Sequence, residues 1–189
     1  AEATLKIKLL LPTSTLRLRL DDDFQVESVT SAEGGRHLFF RLRGQNSLMV
    51  SLGALSGSRQ TVTLNIRYSG THEPAPVDQE VLQGAGYTVQ VSPFTQGGSV
   101  ESVLVYTNRT SWYPRPLLDD HATTRLRFDV PVGLSAVTGG ERVSARVEGT
   151  RTLVEYRQDR PAKYVTAAVG RFFEAGALES GGLRMRAFG

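Results

Sequence analysis

Cysteine is absent from this 189-residue chain, which excludes disulfide frameworks, thiolate metal sites and cysteine nucleophiles while leaving the compartment open. Histidine occurs three times, at His37, His72 and His121, so an imidazole-rich catalytic centre has little material to draw on. No apolar run approaches the roughly 18 residues of a membrane span. The chain therefore reads as soluble, with no membrane span and an unknown localisation. The opening AEATLKIKLLLP begins with Ala and carries Glu2, Lys6 and Lys8 where a signal peptide would be apolar. A chain that opens in mid-strand pattern reads as an excised piece of a longer protein or as a matured secreted one. Charge of one sign is also scarce, since 22 Lys and Arg face 19 Asp and Glu, a formal net of +3. The lysines are Lys6, Lys8 and Lys163; the remaining basic residues are arginines spaced singly along alternating segments, without the clustering that nucleic-acid binding requires.

What the chain has in quantity is period-two alternation, the mark of strands with one buried face. It appears in Leu5-Ile7-Leu9, Leu16-Leu18-Leu20, Phe24-Val26, Leu38-Phe40-Leu42, Leu48-Val50-Leu52 and Val62-Leu64-Ile66-Tyr68. Turn clusters such as Pro12-Thr13-Ser14, Asp21-Asp22-Asp23 and Gly44-Gln45-Asn46 separate these segments at about the 8–12 residue spacing of antiparallel sandwiches. From residue 69 to about 100 the pattern lapses into a Pro- and Gly-bearing stretch that reads as an irregular insertion. Alternation returns in Val103-Val105, Leu126-Phe128-Val130, Ser135-Val137, Val143-Ala145-Val147, Thr152-Val154-Tyr156 and Val165-Ala167-Val169. The expectation is a single all-β domain over residues 1–189, an antiparallel multi-sheet β-sandwich of roughly 12–16 strands in two or three sheets.

Catalytic motifs are missing. There is no HExxH, since His72-Glu73 runs into Pro-Ala-Pro; nor is there a G-x-S-x-G or a P-loop. His72-Glu73 reads as loop, and Gly84-Ala85-Gly86 as a turn. Asp21-Asp22-Asp23 offers oxygen ligands of the kind calcium takes, but its place between two alternating strands reads as a hairpin turn with carboxylates in water. Asp119-Asp120-His121 offers oxygen and imidazole ligands, yet adjacent residues diverge on an extended backbone, so a polar loop is the simpler reading. No catalytic, cofactor-binding or metal-binding residue is assigned in this chain. The most distinctive segment is VLVYTNRTSWYPRP, which gathers Tyr106, Arg109, the single tryptophan Trp112, Tyr113 and Pro114 within about a dozen residues. Trp, Tyr and Arg dominate interaction hot spots, while aromatics with prolines also plug the ends of sandwiches.

The order of these segments resembles the N-terminal β-domain of aminopeptidase N-like zinc metallopeptidases (gluzincins), in a divergent bacterial form. The residues that carry the resemblance are Tyr68-Ser69-Gly70 at the end of an alternating strand and then the Trp112-Tyr113-Pro114 loop. LRFDVPVGLSAVTGG (126–140), with its Pro-x-Gly turn, Arg160-Pro161 and TAAVGRFF (166–173) complete the series. The match runs from about Leu16 to Phe173.

The resemblance implies a saddle-like antiparallel β-domain that packs on a thermolysin-like catalytic domain and shapes its substrate cleft. It implies that zinc, HExxH and a further Glu belong to that absent C-terminal domain, the expected partner, so that the chain itself is non-catalytic. Tyr106, Arg109, Trp112, Tyr113 and Pro114 become candidates for an interdomain or cleft-facing loop, with Arg109 matching the family's arginine. This sequence lacks the Phe-Pro-Cys and Asp-Glu-Pro that typical members carry there, and Glu101 is the nearest acidic residue upstream. Whether the parent is an active aminopeptidase is therefore open. The alternative is a free-standing adhesion or carbohydrate-binding sandwich in which Trp112, Tyr113 and Tyr106 stack on a ligand.

Overall fold

A computed structural model describes residues 1–33, 35–53, 60–72, 104–108, 110–118 and 120–188. Among them there is no α-helix, and every sheet is antiparallel. The irregular stretch expected over 69–100 lies outside the described residues from Glu73 onward, as do Glu101, Arg109 and Asp119. The chain divides into two compact units, one formed by 1–73 with 108–120, the other by 74–107 with 121–189.

In the first unit, β1 (Glu2–Lys8), β7 (Thr61–Ser69), β3 (Gln25–Ser31) and β4 (Gly35–Arg36) form one sheet in the order β1-β7-β3-β4. A second sheet has the order β5-β6-β2-β9, from β5 (Phe39–Leu42), β6 (Ser47–Ser51), β2 (Thr15–Arg19) and β9 (Arg115–Pro116). The alternating leucines and valines explain why the two sheets share one core. Leu18, Leu48 and Val50 come from one sheet, and Val29, Val62, Leu64 and Ile66 from the other, all essentially inaccessible. Each fully buried Val, Leu or Ile contributes about 1.5–3 kcal/mol relative to exposure, so this cluster is the main source of the unit's cohesion. His37 is buried with it and is satisfied on both ring nitrogens, Nδ1 lying 2.9 Å from Ser51 O and Nε2 2.8 Å from Ser31 Oγ. A carbonyl can only accept, so Nδ1 carries a proton, and the Ser31 hydroxyl can serve Nε2 as donor or acceptor.

One strand departs from the expected face. The alternation of Leu38-Phe40-Leu42 predicts those residues inward, but β5 pairs Phe39 with Val50 and Arg41 with Leu48, so it is Phe39 and Arg41 that face the core side. Leu38 and Phe40 are exposed. Acceptors gathered around one guanidinium nitrogen, Nη2, accommodate Arg41 there, while Nη1 has no hydrogen-bond partner among the described residues. The Arg41 guanidinium donates through Nη2 to Leu20 O at 2.8 Å and Asp21 O at 2.6 Å, and it pairs with Asp22 Oδ1 at 3.2 Å. Those partners accept a charged side chain at a position where the sequence pattern would place an apolar one.

The second unit holds three sheets among the described residues. They are β10 (Ala122–Pro131), β13 (Arg151–Ala162) and β12 (Glu141–Glu148) in the order β10-β13-β12; β11 (Ser135–Thr138), β14 (Ala167–Gly170) and β8 (Leu104–Tyr106) in the order β11-β14-β8; and the hairpin of β15 (Glu174–Ser180) with β16 (Leu183–Phe188). The described residues thus form five sheets, where alternation alone suggested two or three. Bulges at Ala122/Thr124, Arg142/Ser144 and Glu174/Gly176 interrupt the pairing, and interruptions of this kind bend and divide sheets. The buried apolar side chains here are fewer among the described residues: Val130, Ala136, Val154, Tyr156, Val165 and Ala167. Tyr156 keeps its hydroxyl satisfied by donating to Ala136 O at 3.1 Å. Val143 and Val147 on β12 are exposed, so that strand's apolar alternation does not face a core among the described residues.

Candidate functional site

The aromatic loop of the first unit is fixed from both ends. Beyond Ser111, whose φ is 39°, β9 adds to the sheet through Leu18↔Pro116 and Arg19↔Arg115. Ser111 O accepts from the backbone N–H of Asp21 at 3.0 Å, and Arg115 Nη2 donates to Asn108 O at 3.0 Å. Pro114 is fully buried, and Thr110 and Ser111 are buried. Trp112 and Tyr113 are half-buried and meet edge to face, with ring centroids 4.9 Å apart and planes 72° apart. The candidate loop residues are therefore divided: Trp112 and Tyr113 retain accessible surface, and Pro114 is part of the packing that holds them. Tyr106 stands on β8 of the other unit, half-buried, with burial pushing its phenol above the ordinary range. Arg109 lies outside the described residues.

Next to this loop is a polar cluster that sequence spacing gave no reason to join. Antiparallel pairing of β3 with β7 places Gln25 opposite Ser69, so residues just before β3 lie beside residues just after β7. That brings the Asp21-Asp22-Asp23 turn to His72, 49 positions away from Asp23. His72 Nδ1 lies 3.2 Å from Asp23 Oδ2 and 3.8 Å from Asp21 Oδ1. The approach depends on Gly70, because a Cβ there would overlap Asp23 O, closer than van der Waals contact allows. Phe24 flanks the imidazole, ring centroids 5.3 Å apart, and meets Tyr68 edge-on at the same spacing. Asp22 points elsewhere, to Arg41 and to the Gly44 and Asn46 backbone N–H groups. Burial lowers the Arg41 pKa from its ordinary value, while Asp22 and Asp21 oppose that shift. The turn is not the hairpin expected, since β2 and β3 lie in different sheets and it passes from one to the other; two of its carboxylates meet an imidazole and the third is held by an arginine and backbone donors. Of the other acidic cluster, Asp120 and His121 are exposed and fall in different units.

In the second unit, Glu141, Arg142, Arg160, Glu174 and Arg186 line a shallow recess. Its carboxylates are matched by guanidiniums, Arg142 with Glu174 at 3.3 Å and Arg157 with Glu141 at 3.9 Å, and Arg186 lies over the Tyr156 and Phe188 rings. This is the chemistry of a salt-bridged joint between hairpin and sheet.

No family model matches the chain, and no curated protein does. Solved structures do. An M1 zinc metallopeptidase from Deinococcus radiodurans superposes with a TM-score of 0.69 at 20% identity, over 99% of this chain and 42% of that one. A mutant of the M1 zinc metallopeptidase from the same organism, bound to a Tyr-Ser-Ala substrate, gives 0.69 at 18% identity with the same coverages. A two-domain M1 zinc metallopeptidase mutant bound to L-tryptophan also gives 0.69 at 18%, again over 99% and 42%. The chain spans well under half the length of the enzymes it matches. The fold expected of the N-terminal β-domain of these peptidases is the fold observed for this chain, with several antiparallel sheets and no helix among the described residues.

Proposed function

We propose that this chain is the non-catalytic β-domain of an M1-type metallopeptidase, or of an inactive homologue, and that it packs on a zinc catalytic domain and shapes one wall of its substrate cleft. The observation that carries the reading is the asymmetry of coverage: 99% of this chain is accounted for by 42% of the enzyme. The sequence has no HExxH, and His72-Glu73-Pro-Ala-Pro cannot supply that pair of helical histidines. The peptidase's zinc would therefore be held by residues of another domain, and no step of the reaction is assigned to this chain. The half-buried Trp112 and Tyr113, with the exposed Leu118 just beyond β9, are the contact surface that we assign to the partner domain. The edge-to-face arrangement of Trp112 and Tyr113 does not offer the coplanar aromatic platform on which a sugar ring would stack, which disfavours the carbohydrate-binding alternative.

The test has two arms. The purified 189-residue chain is expected to leave aminoacyl-anilide and short peptide substrates intact with or without added zinc, and the polypeptide encoded after Gly189 is expected to carry HExxH or its degenerate remnant. Co-expression of the two should yield a complex that Trp112→Ser weakens by tenfold or more. Peptide hydrolysis by the isolated chain, or a downstream sequence with no thermolysin-like domain, would overturn the reading.

A further inference from the structure

From the geometry we infer that Asp21, Asp23 and His72 form a binding site for a divalent first-row transition-metal cation, which clips the end of β7 to the turn before β3. One imidazole nitrogen and two carboxylate oxygens, one from each residue, lie within 4.8 Å of one another. Metal–ligand bonds of about 2.0–2.2 Å in a tetrahedral shell place neighbouring donors about 3.4 Å apart. The observed separations from His72 Nδ1, 3.2 Å to Asp23 and 3.8 Å to Asp21, bracket that spacing. Closing the shell needs the two carboxylates to swing toward a common centre, since the three donors span up to 4.8 Å.

The donor set selects the cation. Calcium and magnesium favour all-oxygen shells, whereas imidazole with carboxylates suits zinc, manganese and their neighbours. Two carboxylates and a neutral imidazole carry −2, which a divalent cation balances. Asp22 could have competed for the same ion but is engaged by Arg41 and by the Gly44 and Asn46 backbone N–H groups.

The site is also held in place before any ion arrives. Asp21 Oδ1 accepts the Asp23 backbone N–H at 3.0 Å, and the Phe24 N–H closes the turn onto Asp21 O at 3.1 Å. Asp21 N–H is anchored to Ser111 O, and Asp21 O to Arg41. The His72 side chain is only 7% exposed and lies against Phe24, so its ring orientation is set by packing, while Asp23 at 54% keeps the site open to solvent. Apolar packing around one ligand with an accessible carboxylate opposite gives a preorganised site with an entry path from solvent. The competing arrangement is a plain ion pair between a protonated His72 and the two carboxylates, which needs no metal.

Isothermal titration of the chelator-treated full chain with Zn²⁺ distinguishes the two. The expected result is one saturable equivalent, weakened at least tenfold by Asp23→Asn and by His72→Ala. Asp22→Asn and His121→Ala should stay within twofold of the parent, and Ca²⁺ in excess should not compete. Co²⁺ should give visible d–d bands that are lost in Asp23→Asn, a substitution at an exposed carboxylate whose fold is checked by circular dichroism. Zn²⁺ should raise the thermal midpoint of the parent and leave that of Asp23→Asn unmoved. Absence of a stoichiometric equivalent, or binding that survives both ligand substitutions, overturns the site in favour of the ion pair. The titration does not depend on peptidase kinship, so it can fail or succeed independently of the proposed function.

Discussion

Tyr68 joins the core to the aromatic loop: its ring packs edge-on against Phe24 and its hydroxyl donates to Trp112 O at 3.4 Å. Burial pushes its phenol up to about 12. The folded state thus holds the proton more tightly than the unfolded chain, where tyrosine titrates near 10. The associated stability is fully present below about pH 10 and is lost as pH rises through about 12, on the order of 2–3 kcal/mol. Urea denaturation at a series of alkaline pH values should show this fall, and Tyr68→Phe should flatten it. At Gly140 the constraint is steric. Its φ is 92° and an added Cβ would lie 2.5 Å from Arg157 O, so Gly140→Ala should destabilise the chain by about 1–3 kcal/mol in chemical denaturation. Gly133, at φ 89°, sits in the Pro-x-Gly turn between β10 and β11 with open space around it, so there the strain is conformational alone.

At the scale of elements, β5 offers a direct test of register. Phe39→Ala should cost about 2–3 kcal/mol because the ring packs on the core, whereas Phe40→Ser should stay within about 0.5 kcal/mol. A reversed order of these two effects would mean that the strand pairs one residue out of step. This strand also shows how far the sequence could be read. Alternation located β2, β6 and β7 and named their inward residues correctly, because leucine and valine on one face have nowhere favourable to go but a core. It misassigned the face of β5 because Leu38-Phe39-Phe40 is apolar on both faces, and what decides between them is the set of oxygens around Arg41, contributed by the chain near Leu20 and Asp22. It gave no warning of β15 at all, whose residues Glu174–Ser180 are exposed throughout and have no apolar stripe to read.

For the whole molecule, the two units differ in how much apolar surface they bury. Among the described residues, the first has a core shared by two sheets, and the second has six scattered buried apolar side chains with exposed valines on β12. Amide hydrogen exchange should therefore be slowest in β2, β6 and β7 and fastest in the β15–β16 hairpin, a gradient that mass spectrometry of the intact chain can read peptide by peptide. Uniform protection across both units would contradict it. The site followed the same division between local and distant information. Trp112, Tyr113 and Pro114 stood out by composition, but burial of Pro114 and placement of Tyr106 in the other unit depend on contacts that no local pattern encodes.

The sequence by itself determined that this chain is all-β and antiparallel, that its own residues carry no peptidase motif, and which leucines and valines form the first core. Those properties follow from period-two alternation and residue chemistry, both of which are local. Only the tertiary structure decided that Asp21 and Asp23 meet His72 and that Arg41 occupies a core-facing position. Each of these joins groups many residues apart, and their meeting is set by strand pairing and by the need of buried polar atoms for partners.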